Sequence, residues 1–398
     1  MALFPQDKQI VIVGGGYAGI HAAAVLAWRL KGKTGVRVML VSDREYFLDR
    51  CRLHEAAVRD AAICYPLAPM FAGTCVDASL GSVDRINLEE RRLHVAHPSH
   101  GYEIPFDALF VATGATPNDF GIPGVKEHAR FLSSYDDAVA IRAKVESLEG
   151  GNVIVVGGGL TGIELAAELA ELARADDTGA PRFHVTLLEG AERLLPACDE
   201  REANYCHERL SRMRVSVRTR AQVERLEEKS ARLKDGTQLP HDLVVWCAGI
   251  AASAPEGLAA ARTDRAGRIE TDDLLELRRE PLLLAGGDLI SCTPAGAEGP
   301  LAAKAMWAVQ MGEYAGEALA AWALGEDAPA APVFQDKGEL ISLGQRDACG
   351  IAQVGPVRQF LSGFPAVLLK DASLTYHLWG LAGRTGVAPG AQPVIPRT

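Results

Sequence analysis

Two glycine-rich turns constrain this chain more than any other feature. The first lies in Val11-Ile12-Val13-Gly14-Gly15-Gly16-Tyr17-Ala18-Gly19, the second in Val153-Ile154-Val155-Val156-Gly157-Gly158-Gly159-Leu160-Thr161-Gly162. Each is an apolar run of strand character, then G-x-G-x-x-G, then an Ala- and Leu-rich stretch of helical character. Glycine there lets the backbone pass close to a pyrophosphate, and the N-terminus of the following helix then faces the negative charge. One such turn is weak evidence, because glycines also serve ordinary tight turns. Two, each in strand–turn–helix context, argue for a chain that holds two dinucleotides, and the usual reason to hold two is to pass a hydride between them.

An acid at the tip of the strand after the turn normally holds a ribose 2′-OH. In the second unit that residue is Glu189, which would repel a 2′-phosphate and so favours NADH over NADPH; Arg193, close by in sequence, argues the other way. In the first unit the tip is Ser42 with Asp43 beside it, and either could serve the ribose.

The pattern along the chain predicts a strand over 9–13, a helix over 17–30 and a strand over 36–42. This is a βαβ unit, which requires a crossover and a parallel sheet. Residues 76–97 alternate weakly and read as a small antiparallel excursion. An apolar strand ends at Ala112-Thr113-Gly114, and Pro117, Gly121, Pro123 and Gly124 then mark a domain boundary. The second unit begins at 152, with a helix over 160–174, a polar break over 175–181 and a strand over 184–189. The strand 243–249, ending in Ala248-Gly249, returns the chain to the first unit, where 282–288 forms a last strand tipped by Asp288. A helix over about 300–323 follows, then a tail of two or three strands and one short helix. On spacing alone Asp288 reads either as a turn or cap residue or as a group that holds a flavin.

With 398 residues, 48% hydrophobic, the chain can bury a large core in two or three domains. A net charge of −10 opposes a nucleic-acid partner, which needs a concentrated basic surface. No apolar run spans a bilayer and the N-terminal residues lack the pattern of a secretory signal, so a cytoplasmic location is expected. The eight cysteines are scattered without CxxC or zinc spacing, so reduced thiols and no metal are expected.

At this point the chain resembles the two-dinucleotide flavoproteins of the glutathione reductase fold, and within them type II NADH dehydrogenases and their soluble relatives. The likeness runs in order through Phe106-Asp107-Ala108-Leu109-Phe110-Val111-Ala112-Thr113-Gly114, Phe120-Gly121-Ile122-Pro123-Gly124-Val125, Glu127-His128-Ala129 and Asp136-Asp137-Ala138. It continues in Ala285-Gly286-Gly287-Asp288, Asp336-Lys337-Gly338 and Leu343-Gly344. The resemblance implies an α/β fold of two Rossmann-like, three-layer ββα domains with a C-terminal α+β segment. The expected divisions are 1–116 and 250–328 for FAD, 117–249 for NAD(H), and 329–398 for the tail.

FAD would then be held by Gly14, Gly16, Ala18, Gly19, Ser42 or Asp43, Arg52, Ala112, Thr113, Gly114, Gly287 and Asp288, with Ala305 and Met306 beside it. NADH would be held by Gly157, Gly159, Thr161, Gly162, Glu189, Ala248 and Gly249. Glu164 matches the family glutamate beside the nicotinamide. The quinone-site helix of the family carries Ala-Gln-x-Ala-x-Gln, and here Ala305-Met306-Trp307-Ala308-Val309-Gln310 keeps the second glutamine but has methionine for the first. The stripe of Leu368, Leu369, Leu374, Leu378, Trp379 and Leu381 is interrupted by Lys370, Asp371 and His377, so it is expected to pack on its own protein with weak membrane contact or none. Cys51, between Arg50 and Arg52, is the candidate redox thiol, since cationic neighbours lower a thiol pKa. The expected activity is hydride transfer from NADH to FAD and then to a quinone-like acceptor, by a cytoplasmic or membrane-peripheral protein that could form a homodimer. The competing readings are a reductase of a ferredoxin- or rubredoxin-type carrier and a slow-turnover sensor that holds both nucleotides.

Overall fold

The computed structural model describes residues 7–96, 101–174, 181–258, 262–277, 280, 282–354 and 357–386. The expected polar break falls almost wholly outside these residues, as do the first six residues and the end of the tail.

The first unit contains β1 (Lys8–Val13), α1 (Tyr17–Arg29), β2 (Val36–Ser42), β3 (Val76–Leu80) and β4 (Ala108–Val111). The second contains β5 (Ala129–Phe131), α2 (Tyr135–Glu146), β6 (Asn152–Val156), α3 (Leu160–Ala173), β7 (His184–Leu188), α4 (Glu200–Arg212), β8 (Ser216–Arg218) and β9 (Leu243–Trp246). Then follow β10 (Leu283–Ala285), α5 (Ala305–Leu324), β11 (Gly338–Ser342), β12 (Ala348–Val354), β13 (Val357–Ser362) and α6 (Phe364–Thr385).

Two parallel five-stranded sheets result, in the orders β10-β4-β1-β2-β3 and β5-β9-β6-β7-β8. Both are Rossmann-like. The central strands are almost wholly buried on both faces, which is why Ile10-Val11-Ile12-Val13 and Val153-Ile154-Val155-Val156 read as continuous apolar runs rather than alternating ones. In each sheet the strand before the glycine turn sits in the middle, with its βαβ partner on one side and a later strand on the other. The turn therefore opens at the switch point of the strand order, where α/β sheets bind ligands.

Helix α5 crosses α1 at backbone distance. A Cβ on Gly312 would lie 2.1 Å from the Ala18 carbonyl oxygen, and one on Gly316 would lie 2.7 Å from Val25 Cβ. The two glycines, one turn apart, are what lets α5 seat on the helix behind the first glycine turn. On α6, Leu378 and Leu381 pack into the same apolar layer.

Two expectations are corrected. Val76–Leu80 belongs to no antiparallel excursion: it pairs in parallel with β2 as the edge of the first sheet, and edge exposure explains its weak pattern. The antiparallel sheet is formed by Ser82–Asn87, Arg92–Ala96 and Tyr102–Pro105. The tail has its three strands, but its helix is 22 residues long rather than short. Among the described residues no helix is long and apolar enough to cross a membrane.

Candidate functional site

The two glycine turns are near copies in three dimensions. Gly14 and Gly157 have φ of +109° and +112°, which side-chain-bearing residues rarely adopt. A Cβ on Gly19 would lie 1.8 Å from the Gly14 carbonyl oxygen, and one on Gly162 would lie 1.9 Å from that of Gly157. Each helix thus sits directly on its own turn. Gly16 and Gly159 face open space, with nothing within 4 Å of a Cβ. They are also the N-caps of α1 and α3, with no side-chain cap, so the first N–H groups of both helices point at that space.

The strand tips lie at equivalent places. A Cβ on Gly15 would be 2.5 Å from Ser42 Oγ, and one on Gly158 would be 2.9 Å from Glu189 Oε2. Ser42 is therefore the counterpart of Glu189, and it is buried. The Ser42 hydroxyl accepts from the Arg44 N–H at 3.2 Å, and Asp43 is exposed beside Arg44. Glu189 accepts from the N–H groups of Gly158 at 2.7 Å and Ala191 at 2.6 Å, so its carboxylate is fixed over the second turn. The guanidinium of Arg193 donates to the carbonyls of Leu194, Leu195, Pro196 and Cys198 at 2.6–3.2 Å. It is spent on its own loop, which removes the one argument for a phosphate there.

A cavity of about 880 Å³ opens at the C-terminal ends of the first sheet. It is reached by Gly14, Gly16, Ala18, Ser42 and Asp43, by the turn Ala112-Thr113-Gly114, and by Gly287 and Asp288. The Thr113 hydroxyl donates to the Ser253 carbonyl, which ties the turn to the returning chain. Burial pushes the Asp288 carboxyl up, while Arg50 and Arg268 oppose the shift. From the other side come Thr161 and Glu164 of α3, Ala305 and Met306 of α5, and Lys370 of α6. The cavity therefore brings most of the residues predicted for the first nucleotide together with the start of α3. Gly19 and Gly162 do not line it and act by letting the helices seat. Ala248 and Gly249 lie behind the second turn: the Ala248 N–H is 2.9 Å from where a Gly157 Cβ would be, and the Phe120 ring covers Gly249.

Glu164 is buried at the centre of a charged cluster. It accepts from Lys370 Nζ and from the Ser342 N–H at 3.0 Å, and His54 Nδ1 stands 3.4 Å from its second oxygen. Lys370 also donates to the Ser342 hydroxyl at 2.7 Å. Burial alone would raise the Glu164 carboxyl, but Lys370 and His54, with the Ser342 amide, outweigh it and hold it below the usual carboxylate range. Burial lowers His54, with Glu164 opposing. The sequence reading identified Glu164 but missed Lys370, His54 and Ser342 as its partners. The only signal was Lys370, a lysine interrupting the apolar stripe; nothing in the sequence pointed to His54 or Ser342.

Three other expectations are corrected. Arg52 does not line the cavity: its Nε and Nη2 donate to the two carboxylate oxygens of Glu55, each at 3.0 Å, and its neighbour Arg50 lines the wall instead. Gln310 is clamped to the chain at Gln335, accepting from its N–H at 2.8 Å and donating to its carbonyl at 3.0 Å, so its amide has no free end for a quinone. Cys51 lines the cavity, but burial, reinforced by Asp49, pushes its thiol up to about 12, the reverse of activation by the flanking arginines. Two scattered cysteines do meet: the buried thiols of Cys206 on α4 and Cys349 on β12 are 3.5 Å apart. Among the described residues no group of three or more His, Cys, Asp or Glu side chains could hold a metal. The stripe on α6 divides: Leu369 and Leu374 line the cavity and Leu378 and Leu381 pack inward, while Phe364, Leu368, Tyr376 and Trp379 are exposed.

Residues 8–312 match the family model described as pyridine nucleotide-disulphide oxidoreductase. The chain is 28% identical over 390 residues to a type II NADH:quinone oxidoreductase of Haemophilus influenzae, covering 86% of each. It is 33% identical over 304 residues to an NADH dehydrogenase-like protein of Mycobacterium tuberculosis, covering 71% of this chain and 72% of the relative. Its fold is that of NDH2 from Plasmodium falciparum, solved in complex with NADH, at TM-score 0.80 and 18% identity over 96% of this chain and 97% of that one. Two Rossmann-like sheets with duplicated glycine turns, and a family match across both, make this chain a member of the pyridine nucleotide-disulphide oxidoreductase family.

Proposed function

We propose that the protein oxidises NADH through bound FAD and delivers the electrons to a quinone. The observation that carries this is the pair of matched turns with unequal strand tips. The first, with Ser42, opens into a large cavity closed by Asp288. The second carries Glu189, and its neighbouring arginine is already committed. The names of the H. influenzae and M. tuberculosis relatives point the same way.

The residues of the first turn fit FAD: Gly14 permits the close approach, Gly16 leaves room for a pyrophosphate, and the Ser42 hydroxyl lies against Gly15 of the turn, where Glu189 lies in the second. FAD supplies hydride acceptance from NADH and onward electron transfer. The Gly157 turn would hold the NADH pyrophosphate on the N-terminus of α3, and Glu189 its adenosine ribose. Glu164, in the first turns of the same helix, would orient the nicotinamide end, with Lys370 and His54 keeping it ionised. We assign 1–116 and 250–328 to the FAD unit, 117–249 to the NAD(H) unit and 329–398 to a covering segment. The exposed Phe364, Leu368, Tyr376 and Trp379 suit peripheral contact with lipid, where a membrane quinone resides.

The test is anaerobic mixing of the flavin-loaded protein with NADH or NADPH, followed by menadione. NADH should bleach the flavin faster than NADPH, and menadione should restore its colour. A protein that takes up no FAD, or bleaches faster with NADPH, would refute the assignment.

A further inference from the structure

A second set of buried titratable side chains lies outside the Glu164 cluster, between α1, α5 and α6. His21 of α1 is 3% exposed, and its Nε2 is 3.2 Å from Nδ1 of His377 on α6. The Nδ1 of His21 is 3.7 Å from Glu313 of α5, which is ion-paired at 2.6 Å with Arg384 of α6. Glu313 and Arg384 are about one-third exposed and so reach solvent. At the inner end, the His377 ring packs against Tyr17 with centroids 5.3 Å apart, and the Tyr17 hydroxyl donates to Asp49 at 2.5 Å. Tyr17 is the residue after the first glycine turn and lines the cavity. Among the described residues, His21 Nδ1, His377 Nε2 and Asp49 Oδ2 are buried without a hydrogen-bond partner. Leaving a buried polar atom unpaired is costly, so three in this one region call for a use.

We propose that Glu313, His21 and His377 form a proton-entry chain that runs from the surface to Tyr17 at the cavity wall and its buried partner Asp49, and supplies the proton that quinone reduction takes from solvent. This rests on the quinone reading above. The balance is NADH + quinone + H⁺ → NAD⁺ + quinol. The hydride brings two electrons and one proton, and the second proton must come from water. An imidazole suits the task because it gains a proton on one nitrogen and loses one from the other. A proton taken up at His21 Nδ1, facing Glu313, leaves from Nε2 to His377 Nδ1. His377 releases one from Nε2 toward Tyr17 and Asp49, and both rings end neutral.

The charged groups around the pair agree with transit rather than storage. Burial lowers both imidazoles, His377 to about 3, so neither traps the proton. Glu313 is held down to about 2 by the neighbouring His21 imidazole and by Arg384, so it stays a carboxylate that attracts a proton to the outer nitrogen. At the inner end burial raises Asp49, with Tyr17 and Arg52 opposing, and burial raises Tyr17, with Cys51 and Asp49 adding to it.

The variants His377→Gln and His21→Asn keep polarity and approximate size but cannot relay. Three rates are measured on the flavin-loaded protein: flavin bleaching by NADH, turnover with ferricyanide, and turnover with menadione in H₂O and D₂O. Ferricyanide consumes no proton. Menadione turnover should fall on the order of a hundredfold, with a larger solvent isotope effect, because an acid–base group is lost. Bleaching and ferricyanide turnover should stay at parental rates. Equal loss in all three assays would mean a structural role and overturn the relay, as would menadione turnover within about twofold of the parent in both variants. If one variant fails to hold flavin, the other decides. A parent protein that bleaches with NADH but never reduces menadione refutes the quinone reading itself.

Discussion

Lys370→Met removes the positive partner from a carboxylate that water scarcely reaches. The side chains of Lys370 and Glu164 are 12% and 10% exposed, so solvent screening does little for either. In the parent protein Glu164 titrates below the ordinary range in spite of burial, with Lys370 the largest opposing influence. A carboxylate depressed in this way contributes stability above the pKa of the unfolded chain, and that contribution is lost as pH falls through the lower, folded value. In the variant only His54 and the Ser342 amide remain, and burial then dominates, raising the Glu164 pKa above its unfolded value. The sign reverses: the variant loses stability as pH rises through that range. Breaking one side of a buried pair costs about 3–5 kcal/mol when the survivor stays charged. For 398 residues, at about 2.1 cal/mol/K of unfolding entropy each, this corresponds to a Tm about 4–6 °C below the parent at pH 8. At pH 5 protonation of Glu164 should narrow the gap by at least about 1 kcal/mol, the equivalent of roughly one pKa unit. Thermal melts of both proteins, followed by circular dichroism at pH 5 and pH 8, make the comparison. A gap of the same size at both pH values would refute the argument that Lys370 acts by holding a buried carboxylate ionised.

Two further outcomes are expected. Gly162→Ala places a methyl group 1.9 Å from the Gly157 carbonyl oxygen, so α3 must lift off its turn; the KM for NADH should rise at least about tenfold, or 1.4 kcal/mol, while flavin content, read at 450 nm or so, is kept. An unchanged KM would mean that the second turn does not hold the nucleotide. Cys51→Ser should leave NADH oxidation intact, and Cys51 in the parent should alkylate slowly with iodoacetamide at neutral pH, because its thiol is pushed up to about 12. Rapid alkylation at Cys51 with loss of turnover would restore it as a redox candidate.

The glycine turns were legible because their constraint is local. Positive φ at Gly14 and Gly157, and the contact of each helix with its own turn, involve residues within six positions of each other, so spacing alone reports them. The buried parallel strands were legible for a similar reason, as runs with no polar residue to alternate. Val76–Leu80 was misread because an edge strand has one exposed face and so resembles a strand of an antiparallel sheet. Cys51 and Gln310 were misread because flanking residues and motif position do not report burial or competing partners. Arg52 turns to Glu55, and Gln310 turns to Gln335, which is 25 residues away.

By itself, then, the sequence determined two dinucleotide-type turns, the strands and helices that carry them, and the preference for an acid at the second strand tip and a serine at the first. These follow from periodicity, glycine spacing and short-range geometry. Only the tertiary structure decided what surrounds Glu164 and what joins His21 to His377. Those partners are 206 and 356 residues apart in the chain. They meet because α6 folds back over both units, and no local pattern encodes which side chains a returning helix will bury together.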